Sequence, residues 1–488
     1  MIDSVLLIRP YSISKKEFPV GLLYVGTALK NKGYRVKIID LQDEPKVEDK
    51  VIEILSKSPN MILGISALAM SYRWLKEFTL KLKKISPQTL VVVGGHIAIA
   101  YEILLSKTGV DYVCLGEGEE TFSELIEKIN KQESVNDVRG IAYKNNDQII
   151  KTDFRPFLKE FLIPDYSLVD ADRYFIHPTE DRFFAHSTGY KEREKKDDKL
   201  AVIMFSRGCI GGCRFCYRHL PGFRQGSIDW SFKHLLLLYN QFGVRYFRFD
   251  DELFTNSPGW FEEFCQKLKD SNLNILFRIT GLRADMVNDH QLKMLKEIGC
   301  IAINYGIESG SQKILNNMNK QTTVEQNLAV LKKTKSYGLQ VMAYIMLGYE
   351  GEDKKTLNET MSLLLESGLE PKYISLFYTV ALPGTQLYKN CLANGKIKDE
   401  EKYLEDLAPY VEEEKKDYER YIINLSDTTI SNLIKFERIL PRLIKLKKIL
   451  KNQPKIFEVL RRVIFNLPVN DSFFKFLSNL KRISQLTK

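Results

Sequence analysis

The sequence predicts an α/β protein: a doubly wound parallel sheet, then a second series of β/α units, then a helical C-terminal region. Three observations predict it. Short β-branched and apolar runs alternate with helix-spaced segments from residue 1 to about 135. The alternation resumes at Leu200 and continues to about residue 390. Beyond that the spacing is helical, with Pro441, Pro454 and Pro468 as expected breaks. A chain of 488 residues, 44% of them hydrophobic, has room for several domains with large cores. The expected division is 1–135, a connector at 136–198, 199–390, and 391–488.

The first strands read Val5–Ile8, Val36–Asp40, Met61–Ser66, Leu90–Gly95 and Tyr112–Gly116. Each is a continuous apolar run, which a sheet covered on both faces requires. Ligands of such sheets sit beyond the carboxyl ends of the strands. Here those ends are small: Ser66-Ala67, Gly94-Gly95-His96 and Gly116-Glu117-Gly118-Glu119. Glycine lets a ligand approach the backbone, and free helix N-termini favour a phosphate. The connector opens with a hairpin pattern, Gly140–Tyr143 then Gln148–Lys151. Its aromatic residues Tyr174, Phe175, Phe183 and Phe184 are read as cover for a domain junction, with the lining of a substrate entrance as the alternative.

The second series offers strands at 200–206, 245–250, 274–280, 301–308, 340–347 and 373–379. Polar clusters mark their ends. Asp250-Asp251-Glu252 closes the second strand, with carboxylates suited to an ammonium group. Arg278 and Arg283 flank the end of the third, Glu308-Ser309 ends the fourth, and Gly348 follows the apolar fifth.

Cys209, Cys213 and Cys216 follow the apolar run Leu200–Phe205, and so are expected on the loop leaving a buried strand. Thiolates this close in sequence can converge on one soft metal centre. Three of them leave one iron of a 4Fe-4S cluster open to another molecule. Structural zinc takes four protein ligands, commonly as two separated pairs, and no second pair occurs. The remaining cysteines (Cys114, Cys265, Cys300 and Cys391) read as buried apolar residues rather than a disulfide framework. A reducing compartment follows. The N-terminus lacks the layout of a signal peptide, and no apolar run approaches the ~20 residues of a membrane span. A cytoplasmic, soluble protein is expected.

The spacing C-x3-C-x2-C, with Phe215 before the last cysteine, closely resembles the motif of the radical S-adenosylmethionine (SAM) enzymes. The six β/α units resemble that family's partial (β/α)6 barrel. The resemblance implies a 4Fe-4S cluster on Cys209, Cys213 and Cys216, with SAM held by Phe215, Asp250, Asp251, Glu252, Arg278, Glu308, Ser309 and Gly348. Within that set, the Asp250–Glu252 carboxylates face the SAM ammonium, Glu308 the ribose hydroxyls, and the strand before Gly348 the adenine.

The first 135 residues resemble the cobalamin-binding domain found ahead of many radical SAM domains. The matching pieces are Pro19-Val20-Gly21-Leu22-Leu23-Tyr24, Gly94-Gly95-His96 and Gly116–Phe122. This implies cobalamin beside Ser66, Gly94, Gly95, His96, Gly116, Glu117 and Gly118. The D-x-H-x-x-G element that supplies a histidine to cobalt elsewhere is absent. Cobalamin is therefore expected base-off, with His96 near the corrin or its nucleotide tail.

Together the resemblances imply SAM cleavage to a 5′-deoxyadenosyl radical and C-methylation of an unactivated carbon, with cobalamin as methyl carrier. They also imply a small-molecule or lipid-like substrate and an electron donor such as flavodoxin or ferredoxin. The alternative on the same architecture is a cyclase or oxidase without methyl transfer. Outside the enzymes stands a cobalamin- or nucleic-acid-binding module, which leaves the three cysteines without a purpose; no nucleic-acid partner is expected.

The net charge of +10 has a local source. Residues 431–488 hold 14 Lys/Arg against 3 Asp/Glu, so the rest of the chain is close to neutral. Leu433, Ile434, Phe436, Ile439, Leu440, Leu443 and Ile444 form an apolar stripe among these lysines. A helix packed on the barrel is the plain reading. Weak peripheral contact with anionic membranes is the sharper one.

Overall fold

Val5 to Ile8 are almost wholly buried, as a central strand covered on both faces must be. They form β1 (Ser4–Arg9) in a computed structural model that describes residues 1–10, 17–41, 47–218, 222–407 and 424–466. β1 pairs in parallel with β2 (Arg35–Asp40) on one side and β3 (Met61–Ser66) on the other. β4 (Val91–Gly94) and β5 (Tyr112–Cys114) continue in parallel. β6 (Ile141–Asn145) and β7 (Gln148–Lys151) close the edge as an antiparallel hairpin. The order is β2-β1-β3-β4-β5-β6-β7, so the direction of winding switches between β1 and β3. The hairpin expected at the head of the connector is thus the edge of the first sheet. Leu22, Leu29, Phe122, Leu125 and Ile126, from the helices Val20–Asn31 and Gly118–Asn130, bury their side chains in the core of this sheet.

The apolar run Leu200–Phe205 does not make one strand. β8 (Leu200–Ile203) ends early, and β9 (Ser206–Cys209) turns to pair antiparallel with β10 (Gly222–Gln225). Cys209 therefore closes a strand rather than sitting in a loop. The six-stranded sheet has the order β15-β14-β13-β12-β11-β8. Its further members are β11 (Tyr246–Asp250), β12 (Leu276–Leu282), β13 (Cys300–Glu308), β14 (Gln340–Leu347) and β15 (Ile374–Tyr378). The registers from β12 to β15 are parallel. β12 starts and ends two residues later than its sequence pattern suggests, since Asn274 is exposed and burial begins at Ile275.

The chain divides into two units. The first comprises Met1–Ile210, Phe215–Arg248 and Ala381–Tyr421; the second comprises Gly211–Arg214, Phe249–Val380 and Ile422–Lys488. Within the first, the helix Glu400–Asp406 lies on the helix Tyr72–Ile85, where Lys76 Nζ bonds Glu401 at 2.6 Å and Glu405 at 2.9 Å.

Within the second, the helix Ile430–Ile449 buries Leu433, Phe436, Ile439, Leu440, Leu443 and Ile444. The apolar stripe is therefore used in packing, as in the plain reading. Pro441 lies inside this helix and does not break it, contrary to the sequence pattern. A helix-interior proline costs about 3 kcal/mol, which burial of leucines on both sides offsets. Pro468 and the basic residues beyond 466 lie outside the described residues. Among the described residues no helix is long and apolar enough to cross a membrane.

Candidate cluster and cofactor site

In the first unit the strand ends of the switch point are built from backbone. Gly95 has φ 85°, and a Cβ there would lie 2.7 Å from the carbonyl oxygen of Ala67 and 3.1 Å from Ser66 Oγ. Only glycine lets the end of β4 close on Ser66-Ala67 in this way. Gly94 would meet only Cys114, and Gly21 only Ser66 Oγ at 3.9 Å. The crevice beside β1 and β3 is therefore edged by residues without bulk, which suits a close-lying cofactor tail. His96 opens the 3-10 turn His96–Ala100, and its ring stacks on Tyr217 with centroids 4.4 Å apart.

Gly116 (φ 86°) leads into Glu117, whose carboxylate is fully engaged. Its Oε1 accepts from Arg207 at 2.6 Å and from Arg224, and its Oε2 accepts from the Leu158 amide at 3.1 Å. Glu119, beyond Gly118, takes a second bond from Arg207 at 2.7 Å. Tyr24 and Phe161 lie 4.4 and 5.0 Å from the Arg207 guanidinium, and Phe157 lies 4.3 Å from that of Arg224. Burial works to raise the Glu117 pKa, but Arg207 and Arg224 outweigh it and hold it below the ordinary carboxylate range. What the structure shows for Glu117 is an anion between two guanidiniums.

No disulfide joins any of the seven cysteines. Cys114, Cys265, Cys300 and Cys391 are buried, and burial pushes the first three thiols up to about 12. Cys209 and Cys213 are half-buried and Cys216 is exposed. A thiolate donor set of the kind a 4Fe-4S cluster takes is thus available at 209, 213 and 216. Among the described residues no three His, Cys, Asp or Glu side chains are gathered into a metal-holding group. The fit therefore rests on the accessibility and spacing of these thiols. Phe215 lies half-buried between the last two cysteines.

In the second unit, Gly211–Arg214 docks on the turn after the helix Gln312–Asn317. The Arg214 amide donates to Met318 O at 2.9 Å, and Asn319 Nδ2 donates to Gly212 O at 2.8 Å. The next residue, Lys320, bonds Glu308 at 2.9 Å. Burial works to lower the Lys320 pKa, but Glu308 and Cys213 outweigh it and hold it above the ordinary lysine value.

The other strand ends differ from one another. Asp250 is half-buried at the end of β11, Asp251 is buried and Glu252 is exposed. Arg278 is buried within β12 and donates to Thr280 Oγ1 at 3.2 Å. Glu308 ends β13 at φ 61°. Ser309 is wholly buried; its Oγ shares a bond with Thr360 at 3.2 Å and accepts from the Ser311 amide at 3.1 Å. It holds the turn together. Gly348 has φ 85°, and its amide donates to Glu352 Oε2 at 2.6 Å. Glu352 itself is fully buried, its Oε1 without a hydrogen bond, and burial pushes its carboxyl up to about 7.

Sequence reasoning missed Lys320 and Glu352, and a polar group shared by three strands. Asn304 Nδ2 donates to Tyr344 OH at 2.8 Å and Thr280 Oγ1 at 3.4 Å, and its buried Oδ1 has no partner. A signal existed: polar residues at alternate positions in otherwise apolar strands point to one face.

Two family models match this chain. Residues 203–364 match the Radical SAM superfamily, so the chain carries a radical SAM domain. Residues 12–126 match the B12 binding domain. The chain is therefore an enzyme with a cobalamin domain ahead of a radical SAM domain, and its cofactors are a 4Fe-4S cluster, SAM and cobalamin.

Among curated proteins, it is 27% identical to an uncharacterised methyltransferase of Pyrococcus horikoshii, over 78% of this chain and 79% of that protein. It is also 27% identical to the anaerobic magnesium-protoporphyrin IX monomethyl ester cyclase of Rubrivivax gelatinosus, over 71% of this chain but 61% of the cyclase. Among solved structures, the cobalamin-dependent SAM radical enzyme OxsB, with aqua-cobalamin and SAM bound, matches with a TM-score of 0.67. It is 17% identical, over 99% of this chain and 71% of that one. That likeness shows the shared fold.

Proposed function

We propose that this enzyme methylates an unactivated carbon of a small organic molecule. The observation that favours methyl transfer over ring closure is one of coverage: the methyltransferase relative is matched over 79% of its length, the cyclase over 61%. When bound, the cluster with SAM supplies a 5′-deoxyadenosyl radical, and cobalamin supplies the methyl group.

The chain's own residues hold and orient. Cys209, Cys213 and Cys216 provide the three thiolates. Asp250 and Glu252 offer carboxylates to the SAM ammonium, and Glu308, steadied by Lys320, accepts from the ribose. Phe215, Asp251, Arg278, Ser309 and Gly348 are the further residues this reading assigns to SAM. Asn304, through its unpartnered Oδ1, accepts a donor from the bound molecules. The Ser66, Gly94, Gly95 and Gly116–Gly118 strand ends take the base-off cobalamin tail. An electron reaches the cluster from a flavodoxin or ferredoxin. Contact with anionic membranes enters this reading only through the basic tail, because the apolar stripe beside it is buried.

The test is an anaerobic incubation with SAM, a reductant and candidate lipids, peptides and sugars, read by mass spectrometry. S-adenosylhomocysteine formed in step with a product heavier by one methylene supports methyl transfer. A product formed with 5′-deoxyadenosine alone favours the cyclase reading.

A further inference from the structure

The two ends of the cysteine segment, at Arg207–Cys209 and at Tyr217, are gripped by the N-terminal sheet. On the near side stands the register of β9 and β10. Arg207 lies directly opposite Arg224, one residue before the pair Gly208–Phe223 and two before Cys209–Gly222. Both guanidiniums meet the single oxygen Glu117 Oε1, and Arg207 also meets Glu119. One carboxylate thus bridges the two strands of the ribbon and fixes its register.

The two arginines lie over Tyr24, Phe157 and Phe161, so the ion pairs are shielded on their faces. The side chains are 12 to 22% exposed at Glu117, Arg207 and Arg224, far drier than an ordinary surface pair. On the far side, one residue past Cys216, the Tyr217 ring stacks on His96, which follows β4 of the same sheet. All these groups belong to the first unit.

We propose that Glu117, Glu119 and His96 are positioning residues that hold the cluster-bearing segment onto the cobalamin domain through Arg207, Arg224 and Tyr217. The inference rests on the cluster assignment above and adds to it. The β5 and β4 ends do more than edge a cofactor crevice; they set where Cys209 and Cys216 stand. Partners that act one step behind a metal ligand typically change its hold on metal by about 10- to 100-fold.

The test uses the full chain, reconstituted anaerobically with iron and sulfide, as wild type, Glu117→Gln, Glu117→Asp and Tyr217→Leu. Two readouts are taken: the rate of iron loss to a ferrous chelator, and amide hydrogen exchange along residues 206–225. Glu117→Gln is expected to release iron roughly tenfold faster. Exchange should rise in 206–225 and stay unchanged in β12–β15, and Glu117→Asp should recover part of both effects. Tyr217→Leu should show the same pattern from the other grip, which covers the case in which Glu117→Gln folds poorly. Wild-type rates of iron loss and exchange in both variants would overturn the proposal. A wild-type chain that takes up no iron would overturn the cluster assignment instead, and the exchange readout would still judge the grip.

Discussion

Glu352 is an acid set in a wholly buried position. Its carboxyl has no exposed surface, one oxygen bonds the Gly348 amide, and burial raises its pKa to about 7. An acid whose pKa is higher folded than unfolded releases its proton more readily when unfolded. Stability from this group is thus full below about pH 4.5 and falls as pH rises towards 7. The fall amounts to about 3 kcal/mol in all. Glu352→Gln should flatten that part of the profile, measured by chemical denaturation at pH 5 and pH 8.

At the cysteines, Cys213→Ala is expected to lose the iron of the reconstituted chain, and Cys265→Ala to keep it, by colorimetric iron assay. The cysteine spacing announced itself in the sequence because three soft ligands so close together suit little besides a metal centre. Glu352, Lys320 and Asn304 did not, because their importance lies in burial and in partners on other strands. Glu117 was visible as a residue of interest but not as an ion-pair partner. Arg207 and Arg224 lie far from it in sequence.

Among the elements, the β9–β10 ribbon tolerates little change at its glycine. Gly208 has φ 80°, and a Cβ there would fall on the carbonyl oxygen of Gly222. Gly208→Ala should cost at least the ~1–3 kcal/mol of a strained backbone and loosen the cysteine segment, seen as faster amide exchange. The helix Ile430–Ile449 is held by its buried stripe. Leu440→Ala should cost about 2–5 kcal/mol, read from thermal denaturation.

Most parallel strands were legible because a run buried on both faces is apolar at every position. The break at Met204 and Phe205 was not, since β8 and the approach to β9 are equally apolar and only pairing tells them apart. Pro441 misled for a related reason: the rule for proline is local, and the packing that overrides it is not.

For the whole molecule, the alternation of β and α patterns was enough to place the two sheets, while the path of the chain between units was not. Nothing in residues 381–407 marks them as returning to the first unit; the contact of Tyr72, Arg73 and Lys76 with Glu401 and Glu405 does. Glu401→Ala should therefore lower stability only slightly, by about 1 kcal/mol or less, as half-exposed pairs do. Ending the chain after Val380 should weaken the first unit far more, seen as earlier protease cleavage near residues 72–85.

That discontinuous first unit has a consequence during synthesis. Its seven-stranded sheet leaves the ribosome early, with the Tyr72–Ile85 helix still missing its cover. The strands β11 to β15 must all be translated before Glu401 and Glu405 emerge. At roughly 5–20 residues per second this interval is on the order of ten seconds or more. Throughout it the nascent protein displays a docking face that only its own later residues fill.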